Sequence, residues 1–341
     1  MALRLKDIAK LTGVSTATVS RVLNKDTRIS DSTRKKVMAA IAETGYTINP
    51  IARSLKTKRT NIIGFIAPEL TNEFFMSLAR GAEQKLAAGG YSMVLCNSQE
   101  SIEYEKKQIR LLTEKRVDGI LIIPVGSKCT HYTVLREHNI PFIAMDRVPE
   151  DIETDAVLVN NIDASRKITE AIIGKGYRRI GFIGGNMDLT SARERYEGYR
   201  SALEEHNIPY DDAVVQFGDF HIKSGAECTK RLLELPDPPE YLYIANFYMH
   251  IGAVKYLMSY SRHENTVTPR IASFDEMEVT SALGFSDISA AQPMDQIGST
   301  AAELIIERIQ KNSTAYPKII RLPATLIDHT TRKQEENVWQ M

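Results

Sequence analysis

The sequence holds 341 residues, 43% of them hydrophobic and 25% charged, with 19 Gly and 13 Pro scattered along it. Single hydrophobic cores stop growing at roughly 250–300 residues, so two or three domains are expected, and collagen-like, disordered and coiled-coil organisations are excluded. The net charge of zero hides a division: residues 1–60 carry 13 Lys and Arg against 4 Asp and Glu, and the remainder carries 30 against 39. A small basic head on an acidic body points to a polyanion met by the head alone. No apolar run reaches the ~18 residues that span a bilayer, and residues 1–7 lack the apolar stretch of a secretory signal. The cysteines, Cys96, Cys129 and Cys228, are odd in number and far apart. They fit a reducing cytoplasm, and neither a disulfide framework nor a metal cluster.

Residues 1–60 show no strand pattern. Leu5, Ile8, Ala9 and Leu11 form a short helical stripe that ends at Gly13. Ser15 can cap a second helix with Val19, Val22 and Leu23 inward. Ser30 or Asp31 can cap a third, with Val37, Ala40 and Ile41 inward and Gly45 at its end. The tight turn at Gly13-Val14 between the first two makes a helix-turn-helix head. Beyond Arg59 the texture changes, and short apolar runs at 62–67, 92–96, 119–123, 141–145, 157–159, 180–184, 214–217, 241–245 and 271–274 predict nine strands. Amphipathic helices are expected between them at 74–88, 103–115, 164–175 and 195–206. Continuous apolar strands between helices imply α/β architecture with parallel sheets covered on both faces, and nine suit two doubly wound sheets better than one. A further helix at 294–311 requires a strand exchange near 290–295 that returns the chain to the first sheet.

Enzyme chemistry has no foothold in the pattern. There is no phosphate-binding Gly-x-x-x-x-Gly-Lys, no Gly-x-Gly-x-x-Gly after a strand and no His-Glu-x-x-His. Gly284-Phe285-Ser286 lacks the second glycine of a nucleophile elbow, Ile288 standing in its place. The seven histidines, His221 and His250 among them, are scattered without metal-ligand spacing. The run 181–185 could cradle a phosphate or simply end a strand. No catalytic residue, metal or cofactor is expected. The stretch from Ser15 to Asn24 is more informative. A helix that enters the major groove needs short side chains at its N-terminal end, where the backbone nears base edges and phosphates. Thr16, Ala17 and Thr18 meet that need, and Arg21, one turn on, can form a bidentate pair with guanine.

These residues carry a resemblance. Leu5-Lys6-Asp7-Ile8-Ala9, Gly13-Val14-Ser15 and Thr18-Val19-Ser20-Arg21-Val22-Leu23-Asn24 resemble the head of the lactose/galactose repressor (LacI/GalR) family of bacterial transcription regulators. The likeness continues through Gly45-Tyr46, Asn49-Pro50-Ile51-Ala52-Arg53-Ser54-Leu55 and Arg59-Thr60-Asn61-Ile62-Ile63-Gly64. It reaches the body at Asn72-Glu73-Phe74-Phe75, Val117-Asp118-Gly119-Ile120, Arg195-Tyr196-Glu197-Gly198-Tyr199, Ser273-Phe274-Asp275 and Gln292-Pro293. It implies a DNA-binding head at 1–48, a hinge helix at 49–60, and a periplasmic-binding-protein-like core. The core halves are expected at 61–160 with 293–325, and at 161–292 with 326–341. It also implies a homodimeric repressor on a pseudo-palindromic DNA operator, controlled by a small-molecule effector bound between the halves. Thr16, Ala17 and Arg21 then face bases, Ser20 and Asn24 lie nearer the backbone, Thr18 belongs to the same DNA-binding set, and the hinge contributes Ala52, Arg53 and Leu55. Arg195, Asn246, Asp275 and Gln292 point into the cleft, with Phe74 or Phe75 at its wall, Arg147 near its mouth and Phe247 among the ligand-binding positions. The rivals are a soluble sugar-binding protein without a gene-control role, for which the basic head is out of place, and an enzyme on the same fold.

Several positions depart from the family pattern. Arg4 stands where a threonine commonly caps the first helix, and an arginine cannot accept the orphan amide bonds, so that turn is expected to fray or to be capped by water. Asn160-Asn161 replaces the commoner Asp-Asn. Phe247 replaces an aspartate, removing one carboxylate and leaving Arg195 and Arg147 less neutralised. A sugar or sugar acid is the expected effector, the acid slightly ahead of a neutral hexose. Residues 328–341 show no leucine heptads, so a dimer is expected rather than a coiled-coil tetramer.

Overall fold

The computed structural model describes residues 3–23, 26–46, 59–261, 268–277, 284–311 and 315–330. The chain forms two compact units, Met1–Thr60 and Asn61–Met341. In the first, α1 (Leu5–Thr12), α2 (Thr16–Leu23) and α3 (Asp31–Thr44) close on Ile8, Ala9, Val19, Val22 and Val37. Burying each large aliphatic side chain contributes about 1.5–3 kcal/mol, which is how so short a stretch holds a fold.

The inward face of α1 is Leu5, Ile8, Ala9 and Thr12, the i, i+3, i+4, i+7 set. The stripe expected from sequence is thus corrected at its end: Leu11 is 62% exposed and Thr12 is buried. The threonine hydroxyl donates to the Ile8 carbonyl at 2.7 Å, so its burial leaves no polar group unpaired. Gly13, at φ 66, ends the helix in the left-handed region, where a Cβ is disfavoured. Ser15 caps α2 by accepting the Thr18 N–H at 3.1 Å, and Ser30 caps α3 through the Thr33 N–H at 3.4 Å. The fraying expected at Arg4 is also corrected. The Asp7 carboxylate accepts the Arg4 backbone N–H at 2.8 Å and ties the first turn from inside.

The second unit is built on two six-stranded sheets. One contains β1 (Ile62–Ala67), β2 (Ser92–Asn97), β3 (Gly119–Ile122), β4 (Phe142–Met145), β5 (Asp155–Val159) and β11 (Ile319–Leu322), all parallel, in the order β11-β5-β4-β3-β1-β2. The other contains β6 (Ile180–Gly184), β7 (Val215–Phe217), β8 (Tyr241–Ile244), β9 (Arg270–Phe274), β10 (Ile288–Ala291) and β12 (Thr325–Asp328). Its order is β12-β10-β9-β8-β6-β7, parallel except where β12 runs antiparallel to β10. β3, β4, β5, β6 and β8 are buried along their whole length, as their unbroken apolar runs require.

The covering helices are α4 (Glu73–Ala88), α5 (Ile102–Glu114), α6 (Thr133–Glu137), α7 (Asn161–Gly174), α8 (Thr190–Glu205), α9 (Ile222–Leu233), α10 (Phe247–Tyr260) and α11 (Met294–Gln310). The chain crosses between the sheets three times: after β5, after β10, and between β11 and β12. α11 leaves the second sheet to lie against α4 of the first, so closely that a Cβ on Gly298 would sit 2.0 Å from the Leu78 carbonyl oxygen. The glycine run 181–185 is β6 and the residue after it. A Cβ on Gly185 would meet the Phe220 ring at 2.0 Å, so the run is a close-packing device and not a phosphate cradle. No helix among the described residues is long and apolar enough to cross a membrane.

Candidate functional site

Two surfaces concentrate the residues singled out from sequence. On α2, Thr16, Ala17 and Arg21 are exposed, Thr18 and Ser20 are half-buried, and Val19 and Val22 hold the opposite face on the head's core. Residues 17 and 21 lie one turn apart and share a face, so one pass of the helix presents both outward. The nearby Asp26 is occupied by its neighbour: Arg28 donates to it through Nε at 3.0 Å and Nη2 at 2.7 Å. These bonds hold its carboxyl well below the usual range. Asn24, Ala52, Arg53 and Leu55 lie outside the described residues.

In the second unit a cavity of about 400 Å³ opens among the carboxyl ends of the strands of both sheets. Chain ends converge there because parallel strands all deliver their following loops to one edge. Phe74 and Phe75 come from the start of α4, Arg147 from beyond β4, Arg195 from α8, Asn246 and Phe247 from beyond β8, Asp275 from beyond β9 and Gln292 from beyond β10. All eight residues expected in the cleft line this one cavity.

Their partners define its chemistry. Arg195 is 4% exposed, donates through Nε to Asn161 Oδ1 at 3.0 Å and through Nη1 to the Ala245 carbonyl at 2.8 Å, and lies 3.8 Å above the Phe274 ring. Neither Asp275 nor Glu197 is bonded to it among the described residues. Asp275 instead accepts the Phe247 backbone N–H at 3.2 Å and a hydrogen bond from the Gln292 amide. Asn246 caps α10 by accepting the Met249 N–H at 3.0 Å. Arg147 donates to Asp146 Oδ2 at 3.2 Å and to the Pro124 carbonyl at 3.3 Å, with the Phe75 ring 5.7 Å away. Asp146 and Asp275 both occupy the left-handed region, at φ 64 and 75, one at the end of each half's strand edge. Burial pushes the Asp146 carboxyl up, against the attraction of Arg147 and Arg195.

Several lining residues escaped the sequence reading: Asp146, Ser191, His221 and Tyr248 among them, with Asn161 bracing Arg195 from behind. Asp146 immediately precedes Arg147 at a strand end, which was the available signal. Asn160 and Asn161 now have roles. Asn160 caps α7 through the Asp163 N–H at 3.5 Å, and Asn161 joins Arg195 to Glu194, donating to the latter at 2.9 Å. At a cap, an asparagine or an aspartate oxygen accepts the helix N–H equally well, so that departure is tolerated.

Comparison with known proteins agrees with this architecture. The family model of bacterial regulatory proteins of the lacI family matches residues 4–49. That of periplasmic binding proteins and the sugar binding domain of the LacI family matches residues 60–330. The ribose operon repressor of Escherichia coli (strain K12) is 34% identical over 308 residues, covering 89% of this chain and 92% of that protein. The HTH-type transcriptional repressor PurR of Aliivibrio salmonicida (strain LFI1238) is 30% identical over 308 residues, 90% of this chain and 92% of its own. Among solved structures, the transcriptional regulator CelR–cellobiose complex superposes with a TM-score of 0.72 at 27% identity, over 95% of this chain and 98% of that one. A matched head excludes a plain sugar-binding protein, and the family consists of regulators rather than enzymes. The chain belongs to the lacI family of bacterial regulatory proteins, and is a DNA-binding transcriptional regulator with an effector-binding body.

Proposed function

We propose that the protein is a cytoplasmic, homodimeric repressor of a pseudo-palindromic operator, and that a neutral sugar in the cleft controls its hold on DNA. One observation carries the choice of effector: both arginines are held by groups of the protein itself. Arg147 is taken up by Asp146, and Arg195 directs Nε and Nη1 to Asn161 and Ala245 and its face to Phe274, so neither is free to turn toward an anionic ligand where Phe247 replaces a carboxylate. Phe74, Phe75 and Phe247 offer apolar faces to a sugar ring, while Asp275 and Asn246 offer acceptors to its hydroxyls. This reverses the slight preference for a sugar acid. Ribose and cellobiose, named with two of the relatives above, are suitable first probes.

The dimer is supported by the exposed apolar edge of the first sheet, where Val94 and Leu95 of β2 are 41% and 45% exposed. In the hinge, Leu55 is the candidate wedge that pries open a central base step, and Leu55→Ala should abolish DNA bending. Titration calorimetry of full-length protein with D-ribose, cellobiose, D-glucuronate and hypoxanthine tests the effector. Binding of a neutral sugar ahead of the acid is expected; tighter binding of glucuronate would reverse the charge argument, and binding of hypoxanthine alone would remove the sugar. Operator binding is read by selecting bound sequences from a random DNA library, where two inverted half-sites are expected.

A further inference from the structure

Among the described residues, several side-chain contacts tie the lips of the cleft together away from the strand crossovers, one of them through Thr190 Oγ1 of α8, which accepts the Val148 N–H at 3.1 Å, and three others through longer side chains. Arg193 of α8 meets Glu150 beyond β4, His221 ahead of α9 meets Glu100 beyond β2 at 3.3 Å, and Tyr248 of α10 reaches the start of α4. The first is an ion pair and the second a histidine–carboxylate contact, both between side chains that water and salt reach, and such contacts hold little. The third differs in kind. The Tyr248 hydroxyl accepts the Glu73 backbone N–H at 3.3 Å and donates to the Thr71 carbonyl oxygen at 3.5 Å. Glu73 is the first residue of α4, and its N–H is one of those a helix cannot pair for itself. The next, on Phe74, goes to the helix's own cap, Asn72 Oδ1, at 3.0 Å. So α4 is capped twice, once from within its own half and once from across the cleft.

The tyrosine also belongs to the wall. Its ring meets Phe247 edge-on at 5.1 Å, and both rings line the cavity together with Phe74 and Phe75, which follow the capped turn of α4. We propose that Tyr248 is a positioning residue for closure: its hydroxyl latches the second half onto the N-terminus of α4, and its ring makes that latch part of the surface an effector touches. The proposal rests on the cleft being the effector site. In the open form both the hydroxyl and the Glu73 N–H turn to water, so the latch shifts the balance by a modest factor and does not lock it. A ligand that needs the closed form binds with an apparent affinity scaled by the fraction already closed.

Tyr248→Phe in the full-length protein removes the hydroxyl and keeps the ring. Hydrogen exchange read on peptides covering residues 71–75, without any ligand, should be several-fold faster in the variant, with the thermal midpoint and the exchange of the sheet strands unchanged. With D-ribose as the calorimetric probe, apparent affinity should fall about three- to tenfold. Equal exchange at the start of α4 in both proteins would overturn the latch, whatever the cleft binds. Faster exchange with no heat from ribose would uphold the latch and count against ribose as the effector. In the wild type, protection of this turn before ligand is added is a second required result; its appearance only with ligand would also overturn the proposal.

Discussion

Asp275 does two jobs with one carboxylate, orienting the Gln292 amide and the Phe247 N–H while facing the cavity. Asp275→Asn keeps the size but replaces an acceptor-only group with one that also donates, so it should weaken sugar binding by about tenfold or more in calorimetry, in line with hydrogen bonds to charged groups. Arg21, exposed on α2, calls for a different readout. If it pairs with guanine, Arg21→Ala should lose about 1–3 kcal/mol of discrimination between the operator and random DNA in competition binding. An equal loss on both would reduce it to a phosphate contact. Residues such as Arg195 were legible because a motif placed them at a helix face beside a strand end. Tyr248 was not, because its value lies in a partner 177 positions away, Thr71. Leu11 was misread for a simpler reason: apolar character was counted before phase, and the helical period passes through Thr12.

Among the elements, the pairing of α4 with α11 is close enough to be sensitive to a single substitution. Gly298→Ala would push a methyl group against the Leu78 carbonyl, so the helices must part, and a loss of about 1–3 kcal/mol is expected in chemical denaturation. Nine strands were legible because they hold short apolar runs, the composition that strands buried on both faces, such as β3, β4 and β8, need. The three that were not read lack an unbroken apolar run. β11, Ile-Ile-Arg-Leu, and β12, Thr-Leu-Ile-Asp, are edge strands with largely exposed or half-buried residues, and β10 is short and built of small residues beside Ile288. Their place in the sheets comes from neighbours distant in sequence, such as Ala156, which pairs with Ile319. Pattern alone carries no such information.

For the whole molecule, acid stability turns on a buried imidazole. His250 is fully enclosed with Ser286 Oγ 3.0 Å from Nε2, and burial lowers its pKa from 6.5 to about 4. The unfolded chain therefore takes up a proton between those values that the fold refuses. The stabilisation is complete above pH 6.5 and is lost as pH falls toward 4, by an amount on the order of 3 kcal/mol. Melting curves should steepen downward through this window, and His250→Gln should flatten that part of the profile. A consequence of another kind follows from the triple crossing of the chain. On the ribosome the polypeptide emerges from its N-terminus, and β5 is complete long before its neighbour β11 exists. In the meantime β5, buried throughout in the finished protein, offers an open edge. The buried Asp155 lacks Arg308, which reaches it at 2.6 and 2.8 Å, and α4 lacks the cover of α11. Such an edge invites pairing with other chains. Nascent chains arrested at residue 290 should thus be cut by protease within 61–160, whereas chains released after residue 330 should resist. The half of the cleft translated first waits longest for its missing pieces, so its survival during synthesis depends on how quickly the final 50 residues are made.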